Sequence, residues 1–248
     1  MAGHSRWNNI KRKKGVADAR RGRLWSKLAR NIIVAAKHGG GDPAANLSLR
    51  YAVEKAKAAN MPADTIDKAI KKGTGELGGA EYQPVQYEGY GPGGVAFIVD
   101  ALTDNPHRTA PEIKKIFERG GGNLGTANCV SWNFATKGVF SISAPNATED
   151  RLMEIALEAG ADDVVSEDGG FEVTCEVPAY ETLRKALENA SIPIANHEIT
   201  KRPLSTITVD ADTGGRVLKL IDAFEEHEDV QNVYSNFDLP EAILAQLE

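Results

Sequence analysis

Three residues of chemically useful type fall in one short stretch, DALTDNPHR (100–108), where Asp100, Asp104 and His107 follow a strand-like run. Two carboxylates and an imidazole are the donor set of a hydrolytic metal site or of an acid–base pair. The stretch has a simpler use, because Asp104 or Asn105 is of the type that caps a helix starting near Thr109. Capping is the preferred reading, since the spacing alone does not bring the three side chains together. No Walker sequence, GxSxG elbow or HExxH occurs. GPGG (91–94) and GGGNLG (120–125) have the glycines of phosphate loops but lack the lysine and the strand-to-helix setting. Turn and C-cap roles account for both, with amide contact to a backbone phosphate left open for the second. The five histidines are scattered, and Cys129 and Cys175 lie too far apart for a metal knuckle or a disulfide framework. The expectation is a chain with no catalytic residue, no metal ligand and no cofactor, hence not an enzyme.

Phosphate neutralisation is the other chemistry on offer, and here the signal is strong. Residues 1–30 hold ten Lys or Arg against a single acid, Asp18, in a chain of net charge −6. Residues 1–79 carry a net +11 and the remaining 169 a net −17. A basic end on an acidic body fits a polyanion-binding segment attached to a body that the same polyanion repels. The expected contacts are His4, Arg6, Trp7, Lys11, Arg12, Lys13 and Lys14 in the irregular head, then Arg20, Arg23, Lys27 and Arg30. Arg6, Trp7 and Asn8 add stacking and edge hydrogen bonds to the charge. With about 5–8 phosphate contacts, log K falls against log salt with a slope of roughly −4 to −7.

The elements that position these residues can be read from periodicity. Between Asp18 and Lys37, Leu24, Leu28 and Ile32 with Trp25, Ala29 and Ala36 form one helical face, and the cations of Arg20, Arg23, Lys27, Arg30 and Lys37 the opposite one. Gly39-Gly40-Gly41 ends that helix, Asp42-Pro43 opens a second with Leu47, Tyr51, Ala52, Ala56 and Ala59 inward, and Pro62 to Gly73 makes a third around Ile66 and Ile70. GTGELGGA (73–80) reads as a linker. Beyond it come two strands around Gly-Pro-Gly-Gly, a helix with Ile113, Ile116 and Phe117 inward, and a strand in CVSWNF, whose Trp132, like Phe134 and Phe140, is expected in the core. GVFSIS begins a β-α-β-β-α-β order, and the chain closes as β-α-β. Neither 81–135 nor the tail completes a unit alone, so together they are expected to form one. The predicted fold is α+β with three domains: a helical bundle over 1–78, a discontinuous α/β domain over 79–135 plus 204–248, and an α/β domain over 136–203 inserted in it, both α/β domains of the ferredoxin-like split β-α-β kind. No stretch is long and apolar enough for a membrane span, no apolar region follows the basic start as in a secretory signal, and reduced cysteines point to the cytoplasm.

The stretches MAGHSRWNNIKRKK, NMPADTIDKAIKKGTG, YEGYGPGGVAFIVDALTDN, RTAPEIKKIF, GGNLG and VQNVYSNFDL together make the chain resemble the YebC/PmpR family, across nearly its whole length. That family includes the mitochondrial translational activator of cytochrome c oxidase. The resemblance implies three domains and a regulator of gene expression, with no member an established enzyme. Members are described as transcriptional regulators that bind DNA, and some as ribosome-associated translation factors relieving stalling on proline-rich sequences. The family's head pattern matches at His4, Ser5, Arg6, Trp7, Ile10 and Lys11, with Arg6 where Lys is common. TANCVSWNF departs from it, with Asn128 and Cys129 in place of a small pair. The expected function is therefore a DNA-binding transcriptional regulator. The alternative is a translation factor bound to ribosomal RNA, which an irregular arm suits better than groove reading by a paired recognition helix. No small-molecule substrate and no membrane partner is expected.

Overall fold

The computed structural model describes residues 18–78, 81–143, 148–167 and 169–239. Residues 132–206 form one compact unit, and the described residues on either side of them form another.

The larger unit begins with three helices, α1 (Asp18–Gly39), α2 (Leu47–Ala58) and α3 (Ala63–Gly73). Leu28, Ile32 and Ala36 of α1 are buried at the expected four-residue spacing, against Leu49, Val53 and Ala56 of α2 and Ile66 and Ala69 of α3. Leu24 falls at the frayed side of this stripe and is 41% exposed. Trp25 is half-buried, its indole N–H donating to the Ala59 carbonyl at 3.0 Å. The phase of α2 differs from the sequence expectation. Asp42 does not start that helix; it turns the chain, accepting from the Ala44 amide, and Asn46 is the cap, its Oδ1 accepting from the Leu49 amide at 3.1 Å. Asn46 Nδ2 also donates to the carbonyls of Ala35 and Gly40, tying α2 to the end of α1. That double anchorage rotates α2 so that Leu49 is buried and Leu47 is 46% exposed.

The second layer of this unit is an antiparallel sheet of β1 (Gln83–Tyr90), β2 (Ala96–Thr103), β3 (Asn123–Leu124) and, from the tail, β9 (Val230–Ser235), in the order β3-β1-β2-β9. β1 and β2 form a hairpin through a turn in which Gly93 and Gly94 take φ of 72° and 74°, where a side chain would be strained. Being central, β2 is almost continuously apolar and buried from Ala96 to Thr103 except at Asp100. α4 (Pro106–Arg119) and the tail helix α7 (Ala211–Glu226) complete the core, where Phe97, Phe117 and Phe224 meet with ring centroids 4.7–6.2 Å apart. Gly89 lets β1 and β3 close, because a Cβ there would lie 2.4 Å from the Asn123 carbonyl oxygen. Thus the tail joins the 83–124 segment in one sheet through β9. β8 (Ile207–Thr208) does not enter that sheet; it pairs in parallel with β10 (Phe237–Asp238) in a separate ribbon.

The smaller unit runs β4 (Phe134–Ser143), α5 (Glu149–Glu158), β5 (Ala161–Glu167), β6 (Gly170–Glu176), α6 (Tyr180–Asn189) and β7 (Ile194–Pro203). Its antiparallel order β5-β6-β4-β7 is the ferredoxin-like arrangement. Phe140, Ile142, Leu152, Val173, Leu183 and Leu187 form its core. The larger sheet does not have the ferredoxin-like order expected for it: its first two strands, β1 and β2, are adjacent at the centre as a hairpin, with β3 beside β1 and β9 beside β2. The strand expected in CVSWNF starts only at Phe134, and Trp132 precedes it in a short 3-10 turn, 70% exposed rather than in the core.

Candidate nucleic-acid interface

Of the expected phosphate contacts, His4, Arg6, Trp7, Lys11, Arg12, Lys13 and Lys14 lie outside the described residues, as does the Arg20 side chain on α1. Arg23 is exposed on α1. Lys27 and Arg30, one and two turns further, are half-buried and turned toward the end of α7. Lys27 Nζ donates to the Glu225 carbonyl at 2.6 Å, supplying a cation to a helix end that carries none of its own. Arg30 donates to the Glu228 carbonyl and, at 2.9 Å, to Asp229 Oδ1, with its guanidinium 5.3 Å from the Tyr82 ring centroid. The polar face of α1 is thereby divided: its first turns present charge outward, and its middle fastens the bundle to the α/β layer.

Asp229 is the hub of that attachment. Its side chain is 3% exposed, and it accepts from Arg30, from Arg108 Nη2 at 2.9 Å and from the Thr109 hydroxyl at 2.7 Å. The Thr109 proton is thus used on Asp229, so the Thr103 hydroxyl, 2.7 Å away, donates to Thr109 while accepting from the Asn105 amide. Burial pushes the Asp229 carboxyl up, but the hydrogen bonds from Thr109 and Arg108 and the charges of Arg30 and Arg108 outweigh it and hold the group below the usual carboxylate range.

Of the two readings of Asp100, Asp104 and His107, the preferred one, a helix cap, is what the structure shows: Asn105 caps α4 through the Arg108 amide at 3.2 Å, Asp104 accepts from Arg108 at 3.1 Å, and His107 is exposed in the first turn. Among the described residues the acids and imidazole that do converge are Glu112, His227 and Asp229, with ligand atoms within 4.8 Å of one another. These are already occupied with one another and with arginine. His227 Nδ1 accepts from the Asp229 amide at 3.2 Å, which leaves the proton on Nε2 to donate to Glu112 at 2.9 Å. Two guanidinium groups supply the counter-charge of Asp229 that an ion would otherwise supply.

The segment just after the glycine-rich loop holds an anion cradle. Glu88 on β1, 4% exposed, accepts from the amides of Asn128, Val130 and Ser131 at 3.0, 2.9 and 2.8 Å, and from the Gln86 side chain. Asn128 makes this possible by adopting a φ of 65°, a conformation Asn tolerates better than most residues. The amide contact considered for 120–125 is therefore realised three residues later, and by an internal carboxylate. Burial raises the Glu88 carboxyl, and the three amides with Gln86 more than reverse this, leaving it lowered. Glu88→Gln should cost about 1.5–3 kcal/mol, the range for hydrogen bonds to a charged group. A depressed folded value means that the carboxylate's contribution is complete above its unfolded pKa and disappears as pH falls through the folded one. Urea denaturation should accordingly show the wild-type advantage at neutral pH and its decline in the acid range.

A basic helical bundle fastened by buried ion pairs to an α/β layer, with a ferredoxin-like unit inserted in the chain between two parts of that layer, is the architecture on which the chain can be compared with known proteins. Residues 5–76 match the TACO1/YebC protein N-terminal domain, and residues 82–237 match the TACO1/YebC second and third domain. The chain belongs to the TACO1/YebC family. A relative from Sulfurihydrogenibium is 50% identical over 250 residues and one from Fusobacterium nucleatum 50% over 249, each comparison covering 100% of both chains. Both are named "probable transcriptional regulatory protein". The crystal structure of a conserved hypothetical protein from Aquifex aeolicus superposes with a TM-score of 0.82 at 45% identity, covering 92% of this chain and 95% of that one. Among the described residues no helix is long and apolar enough to cross a membrane.

Proposed function

We propose that the chain is a non-enzymatic regulator of transcription in the cytoplasm that binds DNA through its basic N-terminal end. The single observation that carries this is the ten-to-one excess of cations over acids in residues 1–30 of an otherwise acidic chain. In this reading His4, Arg6, Trp7, Lys11, Arg12, Lys13 and Lys14 with Arg20 and Arg23 grip phosphates, while Lys27 and Arg30 set the angle of α1 against the body. We further propose three domains, 1–78, 79–135 with 204–248, and 136–203. Support comes from the compact smaller unit and from the two separate apolar cores of the larger one.

Footprinting on genomic fragments tests the transcriptional role, together with gradient sedimentation of a cell lysate. Discrete protected sites and a salt slope of roughly −4 to −7 are expected. Binding without sequence preference, combined with salt-sensitive migration with ribosomal subunits, would replace this reading by the translation-factor alternative.

A further inference from the structure

The sheet of the smaller unit ends on β5, which pairs with β6 on one side and with no described strand on the other. A free strand edge is a row of backbone donors and acceptors that another extended segment can use. Helix α5 packs on β5 and supplies a wall beside that edge. Its Leu152 and Ala156 are buried. Arg151 Nη2 donates at 2.8 Å to the carbonyl of Ala190, the C-cap of α6, which marks the flank of α5 turned to the neighbouring helix. At 100° per residue Met153 and Leu157 fall about 200° and 240° round α5 from Arg151, on the opposite flank, above the free edge. They are 39% and 56% exposed. Val165 of β5 is exposed as well, and points to the other face of the sheet from Val164, which pairs with the buried Val173. An unpaired edge with apolar side chains on either side of it is a groove for an extended peptide. Ladder bonds hold the peptide's main chain, and its alternate side chains reach the two apolar walls.

The charge around the groove selects its occupant. Glu149, Asp150, Glu154 and Glu158 on α5 and Asp163 on β5 are exposed, and none is in an ion pair with any described residue. The one base of these two elements, Arg151, is on the far flank. Lys137 on β4 is already committed to Asp162 and Glu176. The surplus is therefore negative, and an occupant with Lys or Arg between its apolar residues complements it, whereas nucleic acid is repelled. A second copy is disfavoured too, because pairing β5 with its counterpart would set both groups of acids against each other. Acidic side chains and the bulge between Ala161 and Asp163 are also common devices against edge-to-edge association. Such a device accounts for the acids but gives no reason for the exposed Met153 and Leu157.

We infer that the groove between α5 and the β5 edge docks an extended Lys/Arg-rich segment of another protein by strand addition. The inference is independent of the nucleic-acid reading, and the groove lies wholly within the smaller unit.

The probe is a fluorescein-labelled seven-residue peptide in which lysine alternates with valine, titrated against the full chain. Binding should slow hydrogen exchange of the 161–167 amides. Met153→Gln with Leu157→Gln should weaken it by about tenfold or more through loss of the apolar wall. Glu154→Gln with Glu158→Gln should weaken it less and make it less sensitive to salt. The control Leu47→Gln with Leu77→Gln, at similarly exposed apolar positions on the larger unit, should bind as the unmodified chain does. Thermal unfolding of each variant checks that the fold is kept. Absence of binding, protection confined to segments outside 161–167, or equal affinity for a peptide with glutamate in place of lysine overturns the inference. Undiminished binding by the Met153 and Leu157 variant, or an equal loss in the control, overturns it as well. Concentration-dependent dimerisation of the full chain that this variant abolishes would assign the groove to a second copy instead.

Discussion

Removal of residues 1–15 should weaken nucleic-acid binding by roughly a thousandfold near 50 mM salt and flatten the salt slope by about 4–5, since five Lys or Arg side chains leave with the segment. Each such side chain that neutralises a phosphate releases condensed counterions, so the loss is entropic and steepest at low salt. Stability should change by no more than about 0.5 kcal/mol, the ordinary range for surface changes. This follows because the bundle core among the described residues starts with Trp25 and Leu28. For the same reason a deletion reaching residue 30 is a poor probe: it would take Leu28 out of the core and break the Trp25–Ala59 hydrogen bond. Arg12→Glu with Lys13→Glu gives an independent check by reversing charge without shortening the chain. Titration of fluorescent duplex DNA at several salt concentrations decides the matter, and affinities equal to those of the full chain would remove the head from the interface.

Asp229→Ala is the change with the largest expected cost to stability. It takes one charged acceptor from Arg30, Arg108 and Thr109 together, leaving the half-buried Arg30 guanidinium with only Glu228 and the buried Thr109 hydroxyl with only the Asn105 carbonyl to accept from it. Breaking a buried ion pair from one side typically costs about 3–5 kcal/mol. Arg108 is 47% exposed and can be rehydrated, so the lower part of that range applies. The pH dependence has a definite sign. The Asp229 carboxyl is held below its unfolded value of about 3.9, so its contribution is fully present above that pH and is lost as pH falls through the folded pKa. Urea denaturation of both proteins from neutral to acid pH should show the gap between them closing below about pH 4. A gap that stays constant with pH would show that the variant lost packing rather than a carboxylate network.

The nucleic-acid reading and the Asp229 hub depend on different kinds of information. Charge at the amino end is a property of composition, visible before any fold is known. The hub joins Arg30, Arg108 and Asp229, which lie 199 and 121 residues apart along the chain from Asp229. In the sequence, Arg30 is indistinguishable from its neighbours on the cationic face of α1, and Asp229 from the other acids of the tail. Nothing local marks either as buried.

What the amino-acid sequence determined by itself was the short-range part. Apolar spacing set the helices around Ile32, Ile66 and Phe117, glycines set the hairpin turn at Gly93 and Gly94, and Asn105 set the start of α4. These outcomes depend on groups a few residues apart, so a local pattern carries them. Tertiary packing decided the rest. It rotated α2 through the bonds of Asn46 to the end of α1, sent β9 rather than β8 into the main sheet, filled the amide cradle at 128–131 with Glu88, and left Trp132 outside the core. In each case a side chain or strand had two acceptable local states. Contacts with elements distant in sequence, through burial and the pairing of polar groups, selected one of them.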